Sequence, residues 1–233
     1  MFRGDRNAKR ETPPRWGGSW LAVLAALGVA FLLVALLLPP VRRARPAAHR
    51  TQCLNQLRQL GLALHNYAAE HTVFPPAYIC DGDGNRLHSW RTLVLPYMDQ
   101  QELYESIDLS KSWDDPVNAT AHATQLEIFQ CPSVEDPGTQ TTYFAVVTPK
   151  GVLRPTESRP YDDASQKTRK LLLMEVPVED AVHWMSPYDV DEKLFRRIQK
   201  SSGLPHEGRV NIIFENGSGG SLSVKQLTTE WPE

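Results

Sequence analysis

The sequence predicts an α+β domain with an antiparallel sheet, because apolar residues at helical spacing occupy its first half and short apolar runs between turn residues occupy its second. A third observation, an uninterrupted apolar segment near the N-terminus, predicts a membrane anchor ahead of that domain. A chain of 233 residues holds one full domain plus an appendage. The formal net charge of -2 gives no basic excess, which sets nucleic acid aside as a partner.

Residues 1–19 are polar, basic and broken by Pro13, Pro14, Gly17 and Gly18, and read as a short cytoplasmic tail. From Trp20 to Leu38 (WLAVLAALGVAFLLVALLL) no side chain is charged or strongly polar. As a helix this run of about 19 residues spans roughly 28 Å, close to the hydrocarbon thickness of a bilayer, so membrane lipid is its expected partner. A buried soluble helix would show a polar face, and a cleaved secretory signal would have a shorter core ending in small residues. This run ends instead in Pro39-Pro40-Val41-Arg42-Arg43, the edge of an uncleaved anchor. Arg3, Arg6, Lys9, Arg10 and Arg15 before it balance Arg42, Arg43, Arg45, Arg50 and Arg58 after it, so charge leaves the orientation open. Residues 39–46 form a Pro/Arg-rich membrane-exit segment in which Pro39, Pro40 and Pro46 interrupt or kink the helical path.

The folded domain occupies residues 47–233. Leu54, Leu57, Leu60, Gly61, Leu64 and Ala68 make one stripe of an amphipathic helix, with Arg50, Gln52, Asn55, Gln59 and Asn66 elsewhere on it. Thr72 to Ile79 contains Pro75 and Pro76 and reads as extended. Asp81-Gly82-Asp83-Gly84-Asn85 is a turn by composition. A helical rhythm resumes from His88 to Tyr104, kinked or split at Pro96, and Asp114-Asp115-Pro116 opens a further helix. Four strands follow, at Thr142 to Thr148, Lys170 to Val176, Val210 to Phe214 and Ser221 to Val224, the last two joined through Glu215-Asn216-Gly217-Ser218-Gly219-Gly220 as a hairpin.

The stretch LLLPPVRRARPAAHRTQCLNQLRQLGLALHNY, from Leu36 to Tyr67, resembles a large planctomycete family with prepilin-type N-termini, catalogued as a domain of unknown function. The likeness continues through FPPAYI, HSWRTLVLPYMDQQELY, FQCPS, the strand with Glu175, the WMSPYD box and the hairpin that begins at His206. That family is similar to the pseudopilins of type II secretion and type IV pili. The resemblance implies a pilin-like fold, a long N-terminal helix whose membrane half anchors the protein and whose amphipathic half packs on an antiparallel sheet. It also implies a cytoplasmic N-terminus, a periplasmic or extracytoplasmic domain, and a structural or interaction role among other pilin-like or envelope proteins, without catalysis. In Gly17-Gly18-Ser19-Trp20-Leu21-Ala22-Val23, Val23 stands where prepilins carry a glutamate, so the peptidase site is degenerate and a filament is not implied. Asp162-Asp163-Ala164-Ser165 departs from an Asp-Gly-Thr-Ser-like turn of the family.

Candidate site residues fall into small groups. Cys53 and Cys131 lie at family-like positions; an oxidising compartment would let them form a disulfide between helix and sheet, and the alternative is two separately buried thiols, with Cys80 free. The cysteine spacings do not resemble a zinc site. Asp81, Asp83 and Asn85 alternate like the start of a calcium loop, but Arg86 and Thr92 stand where its glycine and final carboxylate belong, so calcium is the only cofactor to consider and a plain turn is the competing reading. Asp189, Asp191 and Glu192 form a second acidic group. Glu175, inside an apolar strand, needs a pairing partner or a ligand, and Trp184 with Asp189 could form a binding lip for a solute or glycan or close the edge of a core. His88 with Ser89, or His206 with Glu207, could serve a hydrolase, but no nucleophile elbow accompanies them; His88 is expected to cap a helix and His206 to begin a strand.

Overall fold

The computed structural model describes residues 19–162, 169–201 and 203–231, with the side chains of Ser19 and of residues 36–45 outside that description. The cytoplasmic-tail reading, the prepilin-like motif before Ser19 and the turn at Asp163-Ala164-Ser165 therefore lie outside the described residues. Helix α1 (Ser19–His71) belongs to two units that divide after Arg45. In the first, the side chains of residues 20–35 are all exposed, including Trp20, Leu24, Phe31 and Leu33. Among the described residues no helix is long and apolar enough to cross a membrane; the last residues of the apolar run, 36–38, are outside that description.

The second unit is mixed α+β with antiparallel pairing throughout its named strands. Its short strands are β1 (Val73–Phe74), β2 (Tyr78–Cys80), β3 (Arg86–Ser89), β4 (Gln140–Thr141), β5 (Tyr143–Ala145), β6 (Arg159–Pro160), β7 (Leu171–Glu175), β8 (Val182–His183), β9 (Arg209–Phe214) and β10 (Gly219–Ser223). The main sheet has four strands in the order β10-β9-β7-β5, and the pairs β1-β6, β2-β3 and β4-β8 form small ribbons around it.

Side-chain alternation places this sheet between two apolar layers. Tyr143, Ala145, Leu173 and Ile213 face the core that contains Cys53, Leu57, Leu60, Leu64 and Ala68 of α1. Phe144, Met174, Val210, Ile212 and Phe214 face the opposite core, with Phe195 and Ile198 of helix α2 (Glu192–Ile198). The alternation breaks once, where neighbours Leu172 and Leu173 both face the α1 side, and the register of β7 against β9 shifts between Leu171 and Leu173. The shift is a bulge, and because both faces of the sheet are covered all five residues of β7 are buried. Gly61 permits the close approach of helix to sheet: a Cβ at that position would lie 3.3 Å from Cγ2 of Ile213.

Two expectations change. The segment from His88 to Tyr104 is not one helix: His88 lies in β3, and the chain then makes separate short turns at Trp90–Leu93, Leu95–Met98 and Gln101–Glu105. Pro96 sits in the first turn of the middle piece and Asp99 ends it in a left-handed conformation (φ 57), which prevents a continuous helix. Ser89, not His88, caps the first turn by accepting the backbone N–H of Arg91. Pro116 does open a helical turn behind the capping Asp115, as expected. The β9–β10 hairpin also forms, with Gly217 at φ 75.

The two faces of α1 should respond differently to truncation. Leu60→Ala, at a fully buried position, is expected to cost about 2–5 kcal/mol in chemical denaturation. Leu62→Ala, on the exposed face, should change stability by less than about 0.5 kcal/mol.

Candidate functional site

A sheet buried on both sides leaves no solvent for polar side chains that point inward, so each must find a partner. Glu175 at the end of β7 is such a case: its side chain has no exposure, and Oε2 lies 2.9 Å from Nε2 of His206 and accepts the Nδ2–H of Asn211 at 3.0 Å. Asn211 also donates to the backbone carbonyl of Arg50 on α1. Oε1 of Glu175 has no hydrogen-bond partner among the described residues.

The same imidazole reaches further. Nε2 of His206 lies 3.9 Å from Sγ of Cys131, and Nδ1 lies 3.3 Å from Oγ of Ser133. Cys53 of α1 completes the group, because one ligand atom each from Cys53, Cys131, Glu175 and His206 all lie within 4.8 Å of one another. Among the described residues no other group of three or more His, Cys, Asp or Glu side chains converges in this way. Cys53, Cys131 and Cys80 are all thiols in this structure. His206 does not begin a strand; it precedes β9 in a tight turn in which His206 (φ 53) and Glu207 (φ 60) are both left-handed. That conformation costs a non-glycine residue roughly 1–2 kcal/mol, and it aims the imidazole back under the sheet.

Electrostatics within the cluster follow from these contacts. The S–H of Cys131 beside the sulfur of Cys53 holds the Cys53 thiol below its ordinary value and pushes that of Cys131 far up, with burial adding to the latter. Burial alone would lower the pKa of His206, but its contacts with Cys131 and Glu175 outweigh that and raise it to about 9. Cys53 is therefore the thiol that ionises first, and His206 is a cation against Glu175 at neutral pH.

The other candidates are placed apart from this group. The Asp189 side chain is buried and paired with Arg91 at 2.8 Å; its Oδ1 also accepts the indole N–H of Trp90 and the backbone N–H of Ala145. Trp184 is buried, stacks on Phe129 and donates to the carbonyl of Thr124. Trp184 and Asp189 thus close the edge of the core, and Arg91, like Arg159, is a buried cation that the sequence did not reveal. Desolvation raises the Asp189 carboxyl and lowers the Arg91 guanidinium, and their mutual attraction opposes both shifts. Asp81 turns inward on its own loop, accepting the N–H groups of Asp83 and Asn85 and the amide of Asn85. Asp191 caps α2 through the N–H of Leu194. His88 is buried against the carbonyl of Asp108, and Ser89 accepts from Arg91. A surface groove of about 800 Å³ lies above the Arg91–Asp189 pair, lined by Tyr78, Arg86, Tyr188 and Trp231; Arg86 sits over the Tyr78 ring at 4.0 Å.

The model of a family described as protein of unknown function (DUF1559), designated SBP_bac_10, matches residues 42–185. No curated protein and no solved structure matches the chain.

Two measurements probe these arrangements. Because the folded pKa of His206 is raised, its stabilisation is complete below about pH 6.5 and is lost as pH rises through about 9. Denaturation of the reduced protein in chelator should therefore lose about 2–3 kcal/mol across that window, and His206→Gln should flatten the profile. Arg91→Ala, which strands Asp189 without a counter-charge, is expected to cost about 3–5 kcal/mol.

Proposed function

The chain belongs to the DUF1559 family of proteins of unknown function, and from that premise we propose that it is a membrane-anchored, pilin-like structural protein of the cell envelope. Its N-terminus is cytoplasmic and its α+β domain extracytoplasmic, and it works by contact with other pilin-like or envelope proteins. The observation that carries this reading is the division of labour along α1. Residues 20–35 present apolar side chains on every side, as a lipid-facing helix does, whereas Cys53, Leu57, Leu60, Leu64 and Ala68 bury one stripe against an antiparallel sheet. The residues also argue against turnover, since His88 and Ser89 are buried and engaged in structural hydrogen bonds and the Asp189 side chain, 3% exposed, is held by Arg91 and Trp90.

Extraction of membranes at alkaline pH tests the anchor directly. The full-length chain should stay with the lipid, while Val29→Arg with Leu32→Arg, each adding about 2.5–3.5 kcal/mol to insertion, should release it. Recovery of the unmodified chain in the aqueous fraction would end this reading. Crosslinking in intact membranes should trap the domain with envelope proteins; a chain found only as a free monomer would contradict the interaction role.

One observation favours a second reading, in which the anchored domain binds a solute or glycan. The groove beside Asp189 offers the aromatic faces of Tyr78, Tyr188 and Trp231, and Tyr188 is 58% exposed, a surface on which a sugar ring could stack. Thermal-shift screening of the full chain with oligosaccharides, repeated on Tyr188→Ala, separates the two: stabilisation that depends on Tyr188 supports binding, and no stabilisation by any sugar removes it.

A further inference from the structure

Four side chains from four separate segments of the chain meet under the main sheet, and the proposed anchoring role makes no use of their ligand atoms. We propose that Cys53, Cys131, Glu175 and His206 form a structural zinc site that fastens α1 to the sheet. Zn–S distances of about 2.3 Å and Zn–N or Zn–O distances of about 2.0–2.2 Å put the ligand atoms of a tetrahedral site roughly 3.3–3.8 Å apart. Here Sγ of Cys131 and Nε2 of His206 are 3.9 Å apart and the whole set lies within 4.8 Å, close to tetrahedral spacing, while Nε2 of His206 and Oε2 of Glu175 are in direct contact at 2.9 Å, a contact that opens by a few tenths of an ångström when both turn to a metal. Two sulfurs, one imidazole and one carboxylate suit a borderline-soft cation and not calcium or magnesium, which take oxygen. Four protein ligands leave no open position, so the site is structural and not hydrolytic.

A second observation points to a missing occupant. Oε1 of Glu175, on a side chain without exposure, has no hydrogen-bond partner among the described residues, a costly state for a carboxylate oxygen beside two thiols. The surrounding groups are also those a metal site needs. With Nε2 of His206 on the metal, Nδ1–H can donate to Oγ of Ser133, 3.3 Å away, while Asn211 holds Glu175 in place. Ser133 is exposed, which marks the side from which an ion can enter.

Binding is a proton exchange and involves no oxidation: Zn²⁺ enters, and protons leave Cys53, Cys131 and His206. Because protons leave as the metal enters, the apparent affinity should rise with pH. Exchange with an external disulfide, which takes up the two electrons and is released as two thiols, would instead join the two sulfurs and exclude the metal.

The test uses the full-length chain in detergent, reduced, stripped with a chelator and titrated with zinc or cobalt alone. One equivalent of zinc should bind, and cobalt should show the intense visible bands of tetrahedral coordination with thiolate charge transfer. Cys131→Ser, which leaves only the Cys53 thiolate, should reduce the charge-transfer band and weaken binding by more than about 100-fold, and Ser133→Ala, which keeps all four ligands, should weaken it about 10- to 100-fold. Cys80→Ser and Asp81→Ala should bind as the unmodified chain does. Failure of the reduced chain to bind zinc, a cobalt spectrum without thiolate bands, or binding that survives Cys131→Ser would overturn the site. So would a Cys53–Cys131 disulfide, seen as the loss of two hydrogens in mass, that persists under reductant. If Cys131→Ser does not fold, the cobalt spectrum of the unmodified chain decides the matter alone.

Discussion

The contact between residues 53–68 of α1 and the main sheet organises everything else in the domain. Cys53, Leu57, Leu60, Leu64 and Ala68 are all fully buried on one side of the helix, and each leucine so placed contributes about 1.5–3 kcal/mol of apolar burial. Gly61 brings the backbone down onto Ile213, and that close approach leaves little room between helix and strands for water. From it follows the second constraint: a polar group on the α1 side of β7 or β9 must be satisfied by protein atoms or a bound ion.

The buried polar groups of the domain show how that constraint is met. Glu175 takes His206 and Asn211. Asp189 takes Arg91, Trp90 and the amide of Ala145, and so tethers the loop after Trp184 to the edge strand β5. Arg159 pairs with Glu215 beside the β9–β10 hairpin, and the carbonyl of Glu215 meets His65 on α1 at 2.7 Å. Each pair links segments far apart in the chain, so each adds geometric definition as well as energy, and removing one member exposes the other to the full cost of desolvation. In the proposed zinc site the same logic is carried to its limit, since a cation would satisfy two sulfurs and a carboxylate at once.

The proposed anchoring role and the proposed metal site are physically independent. The first rests on the apolar side chains of residues 20–35 and the second on a cluster wholly within the second unit.

Much of the fold was legible in the residues themselves. Apolar spacing along Leu54 to Ala68 marked the buried stripe, Asp115-Pro116 marked a helix start, and four apolar runs marked the four strands of the main sheet. These signals are local: period, caps and turn residues act within a few positions, so a linear reading recovers them. The sequence also singled out Cys53 with Cys131 as a candidate disulfide, and Glu175 and His206 each alone, and it took the cysteine spacing as no metal pattern. Their convergence depends on helix packing, strand order and the left-handed turn at His206-Glu207, which bring residues 53, 131, 175 and 206 to one point. Arg91 carried no signal at all, since a charge in a helical rhythm reads as surface until the partner that neutralises it, Asp189, is seen beside it. Periodicity thus settled which elements form, whereas long-range packing decided which side chains meet, because contact between distant residues is a property of the folded chain and of no segment within it.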